Sequence, residues 1–502
     1  MRKIPATMAT QHPDNSRPTY FSNRRFVAAN DEVEECYRCF SELGVQEFMW
    51  DWEGKFVDEA VIDRLYNGYH DYFQKHPIGK DLFLTFRVPN VWIESNHKLP
   101  RSLMGLLSAE EAAKTYKFYG PPLFEIILPM TTKAEQLIYL QKSFKRIAAA
   151  SKDFFDVKSK LDFINVIPLF EEFSVMENCQ EILHGYVNFL KEEYGYKPPY
   201  LRIFTARSDP AVNAGFLPAK MANRLAVHLY HEFEEQTGIK VFPWVGGGAL
   251  PFRGGINPEN IDAVVEEYRG VSTVTVQSAF RYDYDLPQVK AAIKRLNEEI
   301  PKNHKKYVKL TKEEVETVKK FNKAAADFYR PVIENSADII NKVADKLPGH
   351  RERVQHVGLF GYSRGLGKVQ LPRAIKFTGA LYSLGVPPEL IGSGRALKYA
   401  KEKGMLDLVM KLCPYLKADF EHAGHYLNRE NLDFMCKKNP VWEKVREDIQ
   451  LIEEVLEIKI GPTKTHQIIH RNFTSNIFHK MNLGEEFDED ILKAAEIRKS
   501  LG

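Results

Sequence analysis

Charged side chains collect where short apolar runs end. Asp51 and Glu53 close VQEFMWDWE (45–53), Arg87 lies near the end of LFLTFRVP (82–89), and Glu171 closes FINVIPLFE (163–171), with Glu172 next. Arg207 and Asp209 close LRIFTARSD (201–209), Arg281 closes STVTVQSAFR (272–281), and Arg364 closes HVGLFGYSR (356–364). KVFPWVGGG (240–248) leads through three glycines to Phe252, Arg253, Gly254 and Gly255. One such charge is ordinary where a chain re-enters solvent. Several arginines and two or more carboxylates at one mouth suit a small polyanion held by guanidinium forks beside a hard divalent cation. Glu171 and Asp209, on neighbouring strands, are the carboxylate pair for Mg²⁺, which keeps much of its hydration. Glycines around Arg253 let backbone N–H groups approach an anionic oxygen. His12, clamped before Pro13 in an irregular terminal segment, offers a proton acceptor near neutral pH.

These positions need a scaffold. With LFEIILPM (123–130) there are eight apolar runs, alternating with helical stretches. Continuous apolar strands separated by helices imply parallel strands covered on both faces. Eight units point to an α/β fold, a (β/α)₈ TIM-type barrel, whose active site lies at the carboxyl ends of the strands. Residues 282–355, rich in Lys and Glu, read as a helical insertion before the eighth strand. The expected organisation is a catalytic barrel over 1–375 and a helical extension over 376–502, packed on the barrel or on a neighbouring subunit. Thr132 with Glu135, Ser108 with Glu111, and Thr311 with Glu314 have capping-box spacing. LEIKIGPT (456–463) reads as a break between helices.

Other pairings carry less chemistry. His422 and His425, and His466 and His470, share helix faces but lack the glutamate of a protease-type zinc motif. Gly392-Ser393-Gly394-Arg395 has neither a preceding strand nor the ending of a phosphate loop, so it reads as a turn between helices. The chain of 502 residues has 70 Lys and Arg against 67 Asp and Glu, a net charge of +3. That balance gives no field demanding nucleic acid or an anionic membrane. No apolar run is long enough for a membrane span, and the amino terminus lacks a signal-type stretch. Five cysteines, including Cys36 and Cys39, read as reduced thiols of a cytoplasmic protein.

At these residues the sequence resembles the phosphoenolpyruvate carboxylase family, specifically its short archaeal type. MATQHPDN (8–15) parallels the TAHPTE segment of the longer bacterial and plant enzymes, and PLFEE (168–172) their PLFET. SDPAVNAG (208–215) parallels SDSxKDAG, PFRGG (251–255) the second half of the glycine-rich segment, and VQSAFR (276–281) TQNR. The five occur in the family's order, and YSRGLGKVQLPRAIKFTG (362–379) is similar to the archaeal type alone. The resemblance implies carboxylation of phosphoenolpyruvate with bicarbonate to oxaloacetate and phosphate. It implies His12, Arg253 and Arg281 as catalytic residues and Glu171 and Asp209 as ligands of Mg²⁺ or Mn²⁺. Arg87 is similar to a phosphate-contacting arginine. It also implies a homotetramer. Val245 and Gly247 stand where the long forms have His and Arg, and Val212 where they have Lys. Arg207, Arg364, Lys368 and Arg373 are the candidates to neutralise substrate charge instead. The rival enzyme is another metal-dependent lyase of the phosphoenolpyruvate/pyruvate barrel type, and a non-catalytic organic-phosphate sensor is the rival of another class.

Overall fold

The computed structural model describes residues 2–502 except 54, 56, 94–96, 156–158, 352–363 and 367–368. Eight parallel strands close a barrel: β1 (Thr7–Ala9), β2 (Glu47–Asp51), β3 (Phe83–Arg87), β4 (Glu125–Leu128), β5 (Asn165–Phe170), β6 (Tyr200–Ala206), β7 (Lys240–Gly246) and β8 (Thr273–Val276). Seven of the eight apolar runs supply β2 to β8. The eighth barrel strand is instead the three-residue Thr7–Ala9, which the sequence does not announce. It pairs on both sides, Met8 with Glu47 of β2 and Thr7, Met8 and Ala9 with Val274, Thr275 and Val276 of β8. Two neighbours stabilise a strand too short to show any period.

The expected position of the insertion is corrected accordingly. Helices Leu286–Asn303, Lys312–Glu334 and Ala337–Ala344 follow the last barrel strand rather than preceding it. HVGLFGYSR lies outside the described residues except for Arg364, which opens β9 (Arg364–Leu366). That strand pairs antiparallel with β10 (Val369–Leu371) in a separate two-stranded sheet. From Ala374–Ser383 onward the chain is helical, with the expected break between Glu443–Leu456 and Thr465–Leu483.

Side chains alternate along a strand with period two, so inward positions stack in layers. The lowest layer is polar. Arg202 Nη1 and Nη2 donate to both oxygens of Glu47 at 2.8 and 2.7 Å, and Nη1 donates to Glu125 at 2.8 Å. Arg202 and Glu47 are fully buried, so each charge is matched by a partner rather than by water. The middle layer is apolar: Met8, Met49, Ile127, Ile167, Leu169, Phe204 and Trp244. Phe204 and Trp244 stack with ring centroids 4.1 Å apart. A Cβ on Gly246 would strike the Phe204 ring, so glycine there keeps the top of β7 low. The next inward positions are Asp51, Arg87, Glu171 and Ala206. The same alternation that builds the plug thus delivers charges to the carboxyl end.

Helix starts show where spacing suffices and where it does not. Thr311 and Glu314 form a reciprocal capping box. Gln136 rather than Glu135 caps the helix after β4, its Oε1 accepting from the N–H groups of Thr132 and Lys133 at 2.7 and 3.2 Å. Ser108 and Glu111 lie inside the helix Lys98–Thr115. At Gly392, the Asp448 carboxylate accepts from the N–H groups of Gly392 and Arg395 at 2.7 and 2.9 Å. The turn reading holds, and an internal carboxylate occupies the helix start. The five cysteines are free and buried. One hydrophobic core runs from the barrel's helical shell into the C-terminal helices, joining Phe252, Phe377, Leu390 and Ile449.

Candidate active site

A cavity of about 320 Å³ opens above the apolar plug, at the carboxyl ends of the strands. His12, Arg87, Glu171, Asp209 and Arg253 all line it. Five residues separated by as many as 241 positions therefore meet at one mouth because each follows, or ends, a different parallel strand.

His12 leaves β1 in an irregular segment. Its Nδ1 lies 2.8 Å from Thr10 Oγ1, which fixes the ring. The backbone on either side is anchored. Arg281 Nη2 donates to the Thr10 carbonyl at 2.7 Å, and the Asp14 N–H donates to the His12 carbonyl at 3.1 Å.

Arg87 forms a fork on Asp51, with Nε to Oδ1 at 2.9 Å and Nη2 to Oδ2 at 2.6 Å, and pairs with Glu53 at 2.9 Å. Burial opposes its charge, but Asp51, Glu53 and Glu171 hold its pKa well above the usual arginine value. The fork sets the guanidinium plane at the cavity wall.

Arg253 stands on a loop built by glycines. Gly254 and Gly255 have φ of 127° and 69°, in the left-handed half of the map where a side chain is strained. The Gly248 N–H donates to the Arg253 carbonyl at 2.8 Å. Four of the five guanidinium N–H groups are engaged: Nη2 to Gln277 Oε1 at 2.6 Å, Nη1 to Asp14 Oδ2 at 3.0 Å, Nε to Ser208 Oγ at 3.2 Å, and Nη1 to the Gly502 carbonyl.

Glu171 and Asp209 supply the acidic wall. Glu171 Oε2 accepts from the Met130 N–H at 2.6 Å, leaving the carboxylate oriented at the end of β5. Among the described residues there is no group of three or more His, Cys, Asp or Glu arranged for a metal. Two carboxylates alone do not suit zinc, which takes three or four protein ligands. They fit Mg²⁺ or Mn²⁺, which completes its shell with water and substrate oxygens.

Four expected residues are placed elsewhere or not placed. Arg207 is buried but not in the cavity wall. Ala206 points inward, so its successor points out, and Arg207 packs behind Gly254 beside Tyr268. Arg281 lies between the segment that leaves the first strand and the helix Asp31–Ser41, bonded to Cys39 Sγ at 2.8 Å and paired with Glu35 at 3.2 Å. It holds the His12 segment without reaching the cavity. The Arg364 backbone opens β9, and its side chain and all of Lys368 lie outside the described residues.

Other groups enter from the chain after the barrel. Arg373, a candidate from the sequence, lines the cavity and reaches Glu53 at 3.9 Å. His350, Arg351 and Lys376 line it as well, and nothing in the sequence pattern marked them. Arg351 is buried against Glu35, with bonds of 2.5 and 2.8 Å. Burial pushes the His350 imidazole down to about 4, so it is neutral at pH 7. Burial also lowers Lys376.

A family model described as phosphoenolpyruvate carboxylase matches residues 4–502. Phosphoenolpyruvate carboxylase of Oenococcus oeni is 41% identical over 481 residues, covering 95% of this chain and 94% of its own. Those of Metallosphaera sedula and Methanothermobacter thermautotrophicus are each 37% identical, with 100% of both chains covered.

Proposed function

Since the chain belongs to the phosphoenolpyruvate carboxylase family, we propose that this cavity carboxylates phosphoenolpyruvate with bicarbonate, giving oxaloacetate and inorganic phosphate. The observation that carries the reading is the meeting of His12, Arg87, Arg253, Glu171 and Asp209 in one cavity.

The family works with a divalent cation, and here Mg²⁺ or Mn²⁺ would be held by Glu171 and Asp209. When bound, the cation supplies positive charge for the enolate oxygen. The protein's own groups do the rest. Bicarbonate attacks phosphorus, giving carboxyphosphate and the enolate of pyruvate. Both reactants are anions, and Arg87 and Arg253 lower their mutual repulsion. Carboxyphosphate then yields CO₂ and phosphate as its carboxyl proton passes to His12, whose ring is set by Thr10. The enolate carbon attacks CO₂. The apolar plug below the site and the fully buried Arg253 keep water from the enolate. Arg281 serves as a positioning residue through the Thr10 carbonyl.

Residues 1–375 are proposed as the catalytic unit and 376–502 as a helical extension that buttresses it. The Leu501 N–H, which donates to the Asp14 carbonyl at 2.7 Å, supports that role. The proposed setting is a cytoplasmic homotetramer. Among the described residues no helix is long and apolar enough to cross a membrane.

The test measures oxaloacetate and phosphate together, with and without bicarbonate. His12→Asn should retain phosphoenolpyruvate binding and lose oxaloacetate formation. Normal turnover by that variant removes His12 as the base. Bicarbonate-independent release of phosphate or pyruvate by the wild type supports the lyase reading instead.

A further inference from the structure

The cavity has more cationic groups than phosphoenolpyruvate needs, and they differ in how they are held. Arg87 is neutralised by Asp51 and Glu53, Arg253 by Asp14, and Arg351 by Glu35. Lys376 is different. Among the described residues no carboxylate lies within ion-pair distance of its ammonium, and Asp345 acts on it only at longer range. It sits in the first turn of the helix Ala374–Ser383, which follows the barrel along the chain, and it lines the cavity. His350, which also lines the cavity, is 3% exposed, and its Nδ1 has no hydrogen-bond partner among the described residues. A buried, unsatisfied ring nitrogen beside a cavity costs free energy until a ligand or water meets it.

Resting on the carboxylase reading, we propose that Lys376 and His350 form the seat for bicarbonate. The match is one of charge and hydrogen bonding. Bicarbonate is a monoanion with one O–H donor and several oxygen acceptors. One unpaired ammonium balances its charge. One neutral imidazole nitrogen meets its remaining polar group without adding a second charge. The phosphate and carboxylate of phosphoenolpyruvate carry more charge and suit the guanidinium forks and the acidic wall with its cation. Giving each substrate its own set of groups keeps the two anions separate until reaction and orients one toward the other.

The experiment measures initial rates with each substrate varied at saturating levels of the other, for the wild type, Lys376→Gln, Lys376→Arg and His350→Gln. Lys376→Gln should raise KM for bicarbonate about tenfold or more, as expected on losing one charge-assisted hydrogen bond. Its KM for phosphoenolpyruvate should stay within about threefold of the wild type, since the forks are untouched. Lys376→Arg should recover part of the loss by restoring the charge. His350→Gln should also act on bicarbonate. Should it not fold, Lys376, which is only half-buried, carries the test alone. A rise confined to the phosphoenolpyruvate KM, or no change in either, overturns the subsite while leaving the carboxylase reading intact. A wild-type enzyme indifferent to bicarbonate overturns the function and the subsite with it.

Discussion

Asp14→Asn isolates the contact on which the arginine loop depends. Asp14 is fully buried. Its Oδ2 accepts from Arg253 Nη1 at 3.0 Å and its Oδ1 from the Ala279 N–H at 2.8 Å. Asparagine has the same shape but one acceptor oxygen. If that oxygen stays on Arg253, its NH₂ faces the Ala279 N–H. If it turns to Ala279, its NH₂ faces the guanidinium. Either way two donors meet, and Arg253 loses its carboxylate. Breaking one partner of a buried pair costs about 3–5 kcal/mol. At about 1.4 kcal/mol per factor of ten, a loss borne wholly in the transition state lowers kcat/KM by roughly 10²–10⁴. The remaining bonds from Arg253 to Gln277, Ser208 and the Gly502 carbonyl should keep the loop folded. The assay is bicarbonate-dependent oxaloacetate formation, with urea unfolding to measure whatever part of the cost appears as stability. A cycle with Arg253→Met decides the route. If Asp14 acts through Arg253, the double variant is no slower than Arg253→Met alone. Asp14→Asn with kcat/KM within threefold of the wild type and an unchanged unfolding midpoint refutes the reasoning, as does full additivity.

Three other perturbations test separate links. A Cβ at Gly248 would lie 2.7 Å from Arg253 Nη1 and 2.8 Å from its Cζ, so Gly248→Ala should displace the pinned guanidinium and lower turnover about tenfold or more; full activity would show that the guanidinium position is not critical. Asp209→Asn should weaken activation by Mg²⁺ or Mn²⁺ by at least about tenfold, no less than the loss of an outer-shell partner; an unchanged metal titration removes it as a ligand. Burial lifts the Glu389 carboxyl to about 7, although it accepts from the Phe252 N–H and Tyr382 O–H at 2.7 and 2.8 Å. The native state then keeps a proton that the unfolded chain releases above about pH 4.5. Stability from this group falls as pH rises from there toward 7, by about 1.4 kcal/mol per unit. Glu389→Gln should flatten that slope in urea unfolding at pH 5, 6 and 7, whereas parallel wild-type and variant curves would contradict the shift.

Much of the site was legible because a barrel has simple rules. Thr85 and Arg87 share parity, as do Ile167, Leu169 and Glu171, so strand alternation alone aims Arg87 and Glu171 inward. The same rule, applied to Ala206, would have turned Arg207 outward. Arg281 escaped it because the chain leaves β8 at Val276 and enters a short helix, Ser278–Tyr282, where strand parity no longer applies. His350 and Lys376 left no signal because the segments carrying them come after the barrel, and a lysine in a helix's first turn looks the same whether it faces solvent or a cavity.

By itself, then, the sequence determined the (β/α)₈ architecture, seven of its eight strands, and the chemistry of its strand ends, since each follows from local periodicity and residue type. Only the tertiary structure decided that Thr7–Ala9 closes the barrel, because three residues become a strand through the ladders on both sides rather than through their own propensity. It also decided which charges face the cavity and which are spent on each other. Ion pairs such as Arg281 with Glu35 and Arg351 with Glu35 join positions hundreds of residues apart. Their direction is set by desolvation and packing, which no local pattern of residues contains.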